Sequence, residues 1–373
     1  MDKETLYMMA LTRVPKLTYS QQRTLVETLG SATAVYENRH NILDIIPNAI
    51  PALKDNLLLM DANLERCEEE ISWAENYRVQ CIHFHDNRYP ARLKECDDAP
   101  MVLYYRGNAD LNNMRIVSIV GTRKITDYGR QISEQFVREL AELCPNVLIM
   151  SGLAYGVDIH CHRLALKHNL NTIAVLAHGL DQIYPTMHRQ TAKEMLEHGG
   201  LLTEYMSRTS VNKGYFVQRN RIVAGCADAT IVIESASRGG SLITAETAQS
   251  YGRDVFAFPG RANDPQSAGC NRIIAQNIAG LLCDAESFVQ AMGWQDDALR
   301  KKHLTDGIQQ ELFPNLNQEE QLIVDALRDK DKLQLNLISV ITGIPAGQLS
   351  GMLFTLEMKG IVRMIPGGMY RLN

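Results

Sequence analysis

Four short segments of the sequence combine glycine residues with hydroxyl or basic side chains. They are VGTRKITDYGR (120–130), MSGLAYGVDIHCHRLAL (150–166), NKGYFVQRNRIVAGCAD (212–228) and SRGGSLITAETAQSYGR (237–253). Glycine allows a ligand to approach the backbone closely, and the N-terminus of a helix offers unpaired N–H groups to an anion. These segments therefore suit the binding of phosphate groups.

The first two segments offer cations and small polar groups. Arg123 and Lys124 come shortly after Gly121, so they add positive charge beside a turn. In the second segment, Ser151 and Gly152 can present a hydroxyl group and backbone amides to an anion. The alternative for the first segment is a plain strand-to-helix turn with two solvated cations.

The second segment also contains Asp158, His160 and His162, which are possible metal ligands. Residues two apart point to different faces of a helix, so only Asp158 and His162 are well placed to bind one ion together. Capping of the helix by Asp158 and packing of the histidines is the favoured interpretation. We therefore expect no metal site.

The third segment is the most specific, because it places an aromatic ring beside several cations. Phe216 offers a stacking face, and Lys213, Arg219 and Arg221 offer positive charge to phosphates, with Asn220 between the two arginines. The two arginines cannot share one helical face, so we expect one to bind the ligand while the other makes an internal pair. A buried phenylalanine on a salt-bridged helix is the open alternative.

The fourth segment opens a predicted helix with Gly240 and Ser241, which could receive an anion at the helix N-terminus. Thr244 and Glu246 are either site residues or stabilisers of the first helical turns. The sequence contains no GxGxxG, GxxxxGK[ST], HExxH or GxSxG motif. We therefore expect a binding protein with no catalytic residues and no cofactor.

Composition limits the class of protein and the place of a polyanion site. The chain has 373 residues and a net charge of -5, which predicts two or three domains and argues against a uniformly basic coat. Residues 115–276 hold 17 Lys and Arg against 14 Asp and Glu, so this part is the less acidic one. The eight cysteines are scattered, and neither a membrane span nor a signal peptide is evident. We expect reduced thiols and a cytoplasmic protein.

From residue 115 onward, short apolar runs alternate with amphipathic helical patterns. The runs are RIVSIVG, VLIMSG, TIAVLAHG, GLLTEY, ATIVIES and VFAFPG. This alternation predicts an α/β fold with a Rossmann-like, doubly wound parallel sheet that is covered on both faces. Ligands of such sheets bind at the carboxyl ends of the strands, where the glycine-bearing segments lie.

The flanking segments predict further domains. The expected organisation is a small helical domain of the SAM or helix-hairpin-helix type (1–66), a connector and sheet edge (67–114), the Rossmann-like core (115–292), a linker (293–316) and a winged-helix domain (317–373). The last domain reads as three helices and a hairpin with its turn at Pro366-Gly367-Gly368.

The ordered motifs resemble those of the DNA-processing protein A family, also called DprA or Smf. They are VGTR, SGLAYGVDIHCHRLAL, GLDQIYP, FVQRNRIVAG, GGSLITAETA, GRDVFAFPG and SAGCNRII. The resemblance implies a protein that binds and protects incoming single-stranded DNA during natural transformation and helps to load the RecA recombinase onto it. It also implies a homodimer formed largely by the core, with no cofactor.

The resemblance further implies that Arg123, Lys213 and Phe216 form one DNA-binding patch. Two features depart from the family pattern. The turn reads Gly239-Gly240-Ser241-Leu242, and Thr186 and Met187 stand after Tyr184-Pro185 where a basic residue is common.

Two alternatives stay open on the sequence. GGSLITAE resembles an element of nucleoside-monophosphate phosphoribohydrolases, in which Glu246 would act near the ribose, so a nucleotide-binding enzyme of a related fold is the second hypothesis. The C-terminal domain could bind duplex DNA or a protein. Its third helix offers a single Lys359 and no arginine, which favours contact with a protein.

Overall fold

The strands of the core follow the apolar runs of the sequence closely. The computed structural model describes residues 2–46, 52–295, 316–328, 332–365 and 368–372. These residues fall into two compact units, Met1–Asp296 and Asp297–Asn373. The strands of the first unit are β1 (Gln80–His83), β2 (Val102–Gly107), β3 (Ile116–Val120), β4 (Leu148–Ser151), β5 (Asn171–Val175), β6 (Gly199–Thr203), β7 (Ala229–Val232), β8 (Asp254–Ala257) and β9 (Gly280–Leu281).

The helices of the first unit precede the sheet and connect its strands. They are α1 (Lys3–Thr12), α2 (Tyr19–Leu29), α3 (Ala32–Glu37), α4 (Ile42–Ile45), α5 (Ala52–Leu58), α6 (Met60–Asn76), α7 (Ala91–Lys94), α8 (Asp127–Leu143), α9 (Val157–Lys167), α10 (Arg189–Met195), α11 (Lys213–Gly225), α12 (Gly240–Ser250), α13 (Ala268–Ala275) and α14 (Ala285–Ala291). A short 3₁₀ turn, Thr186–His188, precedes α10.

The sheet has the strand order β1-β2-β6-β5-β4-β3-β7-β8-β9 in the described residues. Strands β3 to β9 are parallel, which confirms the Rossmann-like, doubly wound core. The sheet as a whole is mixed, because β1 and β2 join its β6 edge in antiparallel pairing. Strands β1 and β2 thus form one edge of the sheet.

The core lies on both faces of the sheet because successive strand residues point to opposite sides. All five residues of β3 are buried. Ile116 and Val120 belong to one apolar cluster, and Val117 and Ile119 belong to a second cluster that includes Phe136. This two-sided burial explains why the central strands read as continuous apolar runs.

Successive strands of the chain are added first on one side of β3 and then on its other side. Strands β4, β5 and β6 are added on one side of β3, and β7 then pairs with its other side. The connections on the two sides diverge at this topological switch point, which leaves a crevice at the carboxyl ends of β3 and β7.

The N-terminal helices pack on the sheet as part of the same compact unit. The predicted boundary between residues 66 and 67 falls inside the continuous helix α6. Met8 of α1 and Leu25 of α2 belong to the apolar cluster that also contains Ile116 of β3. The helical segment thus shares its core with the sheet.

The second unit has the predicted winged-helix arrangement with one additional short strand. Its elements are α15 (Gln318–Arg328), β10 (Leu333–Gln334), α16 (Leu335–Thr342), α17 (Ala346–Met358), β11 (Val362–Ile365) and β12 (Met369–Leu372). Strand β12 pairs antiparallel with both β11 and β10. Residues 366 and 367 of the predicted turn, and residues 296–315 of the predicted linker, lie outside the described residues.

Two other sequence expectations concern covalent links and membranes. The described cysteines form no disulfide bond. Across the described ranges, no individual helix has the length and apolar character needed to cross a membrane. The pair Leu335–Thr342 and Ala346–Met358 meets the criteria only jointly, with a bend of 106° between its two helices.

Candidate nucleic-acid interface

A pocket opens at the switch point of the sheet, where the loops after β3, β4 and β7 meet α11 and α12. Its volume is about 260 Å³. Residues from all four predicted segments line it, among them Arg123, Asp158, Phe216, Asn220, Gly240 and Ser241. The structure therefore brings together residues that are far apart in the sequence at the place where such sheets bind ligands.

The loop after β3 is held tightly, and its basic side chains face solvent. A Cβ atom at Gly121 would lie 2.9 Å from the Glu234 carbonyl oxygen, so the position has room only for glycine. The Glu234 carboxylate accepts hydrogen bonds from the Thr126 N–H at 2.9 Å and from the Thr126 hydroxyl at 2.6 Å. Arg123 and Lys124 are exposed on this fixed loop.

Phe216 lies beside Arg123 at the mouth of the pocket. The Arg123 Cζ atom is 5.7 Å from the centroid of the half-buried Phe216 ring, within the range of a cation–π contact. Lys213 is exposed one helical turn earlier on α11, where the Asn212 side chain caps the helix by accepting from the Gly214 N–H at 2.8 Å. Arg123, Lys213 and Phe216 thus form one surface, which we call the rim patch.

The first turn of α12 leaves N–H groups available at the same pocket. Gly239 occupies the N-cap position without a side-chain cap, and the N–H groups of Gly240 and Ser241 have no hydrogen-bond acceptor among the described residues. Asn220 donates from its amide to the Gly240 carbonyl oxygen at 3.3 Å, which ties α11 to α12. The positive end of the α12 dipole therefore adds to the charge of Arg123.

Arg219 belongs to the lining of the pocket but is almost fully buried, which corrects the expectation that it contacts phosphate on the surface. Its side chain donates to the Gly152 carbonyl oxygen at 2.7 Å and to the Val175 carbonyl oxygen, and the residue is 4% exposed. Burial lowers the pKa of Arg219, and the carboxylate of Asp158 opposes this decrease. Arg219 therefore fastens α11 to the loops after β4 and β5.

Arg221 is also an internal residue, so its predicted DNA contact is wrong. It forms an ion pair with the buried Glu204 and donates to the Asp98 carbonyl oxygen at 2.5 Å. Its Cζ atom lies 4.3 Å from the centroid of the Tyr19 ring of α2. Burial raises the pKa of Glu204, and Arg221 opposes this increase. Arg221 is therefore unavailable to a strand on the surface.

Ser151 and Gly152 are structural as well, which corrects their prediction as anion ligands. The Ser151 hydroxyl is fully buried and donates to the Ile119 carbonyl oxygen at 2.6 Å. The Gly152 N–H donates to Asp158 at 3.2 Å, and a Cβ atom at Gly152 would collide with the Arg219 guanidinium. Together these contacts bind the loop after β4 to the base of α11.

The possible metal ligands of the second segment have other roles. Asp158 accepts from the N–H groups of Gly152 and Ala154, and His162 Nδ1 lies 2.6 Å from the Thr172 hydroxyl. Burial, together with the nearby Arg219, lowers the pKa of His162 to about 3, so the ring is neutral. In the described part of the chain, no group of three potential ligands is arranged to hold a metal ion.

The residue expected to act in the enzyme hypothesis lies away from the pocket. Glu246 is exposed on α12, and the described residues that line the pocket include Thr244 but not Glu246. The Glu246 carboxylate is therefore not among the groups that surround the crevice. The geometry therefore gives no support to a phosphoribohydrolase reaction at this site.

Comparison with known proteins identifies the family. Residues 80–293 match the family described as DNA recombination-mediator protein A, and residues 311–368 match the DprA winged helix domain. The chain belongs to the DNA recombination-mediator protein A family. The second match agrees with the winged-helix arrangement of the C-terminal unit.

Individual relatives support this assignment. The putative DNA processing protein DprA of Mycobacterium tuberculosis is 34% identical over 73% of this chain and 68% of the relative. The solved structure of DprA from Streptococcus pneumoniae matches with a TM-score of 0.64 at 32% identity, covering 77% of this chain and 97% of the other. DNA processing protein A from Helicobacter pylori, described with its single-stranded DNA binding mode, matches with a TM-score of 0.52 at 30% identity, covering 58% and 95%.

Two further residues beside the pocket and the rim patch were not predicted as site residues. Arg238 is exposed and lines the pocket from the loop after β7. Tyr184 follows β5, and its ring centroid lies 5.8 Å from that of Phe216. Both stand after strands of the parallel sheet, so the rule that ligands bind at carboxyl ends could have identified them.

The internal roles of the two arginines predict large effects on stability. Arg221→Ala leaves the Glu204 carboxylate buried without its cation, and removal of one partner of such a pair costs about 3–5 kcal/mol. We expect Arg219→Ala to be similarly destabilising, because it leaves two buried carbonyl oxygens and Asp158 without their partner. Urea denaturation followed by circular dichroism measures both effects.

The matched control for these variants is Arg123→Ala, because Arg123 is exposed on the same unit. We expect it to change the free energy of unfolding by about 0.5 kcal/mol or less. Equal and small effects for all three variants would contradict the structural role assigned to Arg219 and Arg221.

Proposed function

We propose that this chain binds single-stranded DNA at the rim patch and acts as a recombination mediator. The observation that carries the proposal is the meeting of Arg123 and Phe216 beside the open N-terminus of α12, with Lys213 one turn before Phe216 on α11. The description of the Helicobacter pylori relative with its single-stranded DNA binding mode supports it. Membership of the recombination-mediator family supports the second part.

The chemistry of the patch favours a single strand over a duplex. Arg123 and Lys213 suit phosphate groups, whereas the Phe216 ring offers a face on which an unpaired base can stack. Bases within a duplex are already stacked on each other and are not available to such a ring. The patch contains few side chains that could read base edges, so we expect little sequence preference.

The charge balance fits a local site. The whole chain has a net charge of -5, so attraction for DNA cannot come from its overall charge. Exposed charges more than about 8 Å apart are largely screened at physiological salt. The cations at the rim and the helix N-terminus therefore act on the strand without strong opposition from acidic residues elsewhere.

Charge reversal at the rim tests the phosphate contacts. We expect Arg123→Glu and Lys213→Glu each to weaken binding of an oligo(dT) strand by about tenfold or more, because each loses a charge-assisted contact. The slope of log affinity against log salt concentration should become shallower by about 0.7 for each lost phosphate contact. Fluorescence anisotropy across a salt series measures both quantities.

Arg78→Glu is the matched control for charge reversal. Arg78 is exposed just before β1. Strands β1 and β6 both pair antiparallel with β2, so they run in the same direction. The residue therefore lies at the amino-end edge of the sheet, opposite the rim. If Arg78→Glu weakened binding as strongly as Arg123→Glu, the proposed location of the strand would be wrong.

Substitution of the aromatic ring tests base stacking separately from charge. Stacking of a base on an aromatic side chain contributes about 1–3 kcal/mol. We expect Phe216→Ala to lose an amount in this range, measured by anisotropy, and Phe216→Tyr to keep most of the affinity because it retains the ring. A Phe216→Ala protein that is folded and binds as tightly as the wild type would rule out stacking at this position.

We further propose that the bound strand is handed to RecA recombinase during natural transformation, in the cytoplasm, by a homodimer formed through the core. This part rests on the family resemblance and on membership of the recombination-mediator family. A mediator must hold DNA at a site that can release it, which a salt-sensitive surface patch allows.

A loading assay tests the mediator role. With single-stranded DNA covered by single-strand binding protein, we expect the wild-type chain to accelerate the start of DNA-dependent ATP hydrolysis by RecA. Arg123→Glu should lose this acceleration and Arg78→Glu should keep it. Binding of DNA without any acceleration would support the DNA site and reject the mediator role.

A further inference from the structure

The loop between β5 and α10 exposes large apolar side chains next to the rim patch. Tyr184 is 46% exposed and Met187 is 68% exposed, although both lie on the structured carboxyl-end rim of the sheet. The Tyr184 and Phe216 ring centroids are 5.8 Å apart, so this loop continues the rim patch directly.

The loop is fixed in place, so the exposure of Tyr184 is a property of the folded rim. The Tyr184 N–H donates to His178 Nε2 at 3.2 Å, and Gln182 donates from its amide to the Thr209 carbonyl oxygen at 2.7 Å. Farther along, His188 Nδ1 lies 2.8 Å from the Leu153 carbonyl oxygen, which joins the loop to the one after β4. The loop that carries the ring is thus ordered before a ligand binds, so binding costs little further conformational entropy in this loop.

The relative orientation of the two rings indicates how many bases they can accept. Their planes are inclined by 58°, so the open faces of Tyr184 and Phe216 point in different directions. Such an arrangement cannot hold one base flat against both rings. It suits two bases of the same strand, one on each ring, and base stacking on aromatic rings is tolerant of sequence.

A cation follows this second ring along the chain. Arg189 begins α10 only five residues after Tyr184, and it is exposed and forms no ion pair with the described residues. Arg189 is the nearest Lys or Arg to Tyr184 along the chain. It can neutralise the phosphate that follows a base stacked on Tyr184.

We propose that Tyr184 forms a second base-stacking position, which extends the single-strand site from Phe216 across the carboxyl end of β5 towards Arg189. This inference rests on the proposed function and adds a specific path for the strand. The ligand of Tyr184 is the same DNA strand, because the Tyr184 ring adjoins the Phe216 ring and Arg189 follows Tyr184 along the chain. The chain then holds two successive bases instead of one.

The test compares Tyr184→Ala with Tyr184→Phe on the shortest oligo(dT) strand that retains full affinity for the wild type. We expect Tyr184→Ala to weaken binding by about fivefold or more, and Tyr184→Phe to remain within about twofold of the wild type because stacking needs only the ring. Tyr77→Ala is the matched control, since Tyr77 is similarly exposed just before β1 at the opposite edge of the sheet.

Oligonucleotides with one abasic residue, moved along the strand, distinguish stacking from a purely structural effect. The wild type should be weakened by abasic residues at two positions. Tyr184→Ala should become insensitive at one of them and stay sensitive at the other, and Phe216→Ala should show the reverse. A purely structural role for Tyr184 would leave both positions sensitive in Tyr184→Ala, and this result would overturn the inference.

The outcomes also separate this inference from the proposed function. If Arg123→Glu abolishes binding while Tyr184→Ala binds every oligonucleotide like the wild type, the rim patch binds DNA and the second stacking position does not exist. If neither variant changes binding, the strand lies elsewhere and both proposals fail.

Discussion

The arrangement of the rim depends on the buried guanidinium of Arg219. It donates to the carbonyl oxygens of Gly152 and Val175, which belong to the carboxyl ends of two neighbouring parallel strands. Because a buried charge without partners is very unfavourable, these contacts define the position of α11 on the sheet. Arg221 holds the same helix from another side through Glu204. The helix is thereby fixed with its first turn at the rim.

This anchoring explains how a rather acidic protein can present a site for a polyanion. The cations inside α11 hold the helix, whereas at its start Lys213 is exposed and Phe216 is half-buried. Arg123 is brought beside them by the separate loop after β3. A few fixed groups at the edge of the sheet therefore provide positive charge locally. The rest of the surface can carry negative charge.

The sequence predicted those features that depend on local patterns of apolar and polar residues. Runs such as IVSIV predicted buried parallel strands, and their order along the chain placed the glycine-bearing turns at one edge of the sheet. Arg123, Lys213 and Phe216 were grouped by the family resemblance, because the residue pattern alone left a buried phenylalanine on a salt-bridged helix open. Arg219 and Arg221 could not be assigned correctly, because their partners, Gly152 and Glu204, are brought close only by the fold. The same is true of Ser151, whose burial follows from its place at the end of a central strand.

Photo-cross-linking of a single strand that contains 5-bromouracil, followed by mass spectrometry of the peptides, tests the location of the bound strand most directly. A base stacked on Phe216 is in contact with the ring, so the account predicts adducts in the peptide that carries Lys213 and Phe216. Adducts confined to the C-terminal unit, or to the amino-end edge of the sheet around Tyr77, would contradict it.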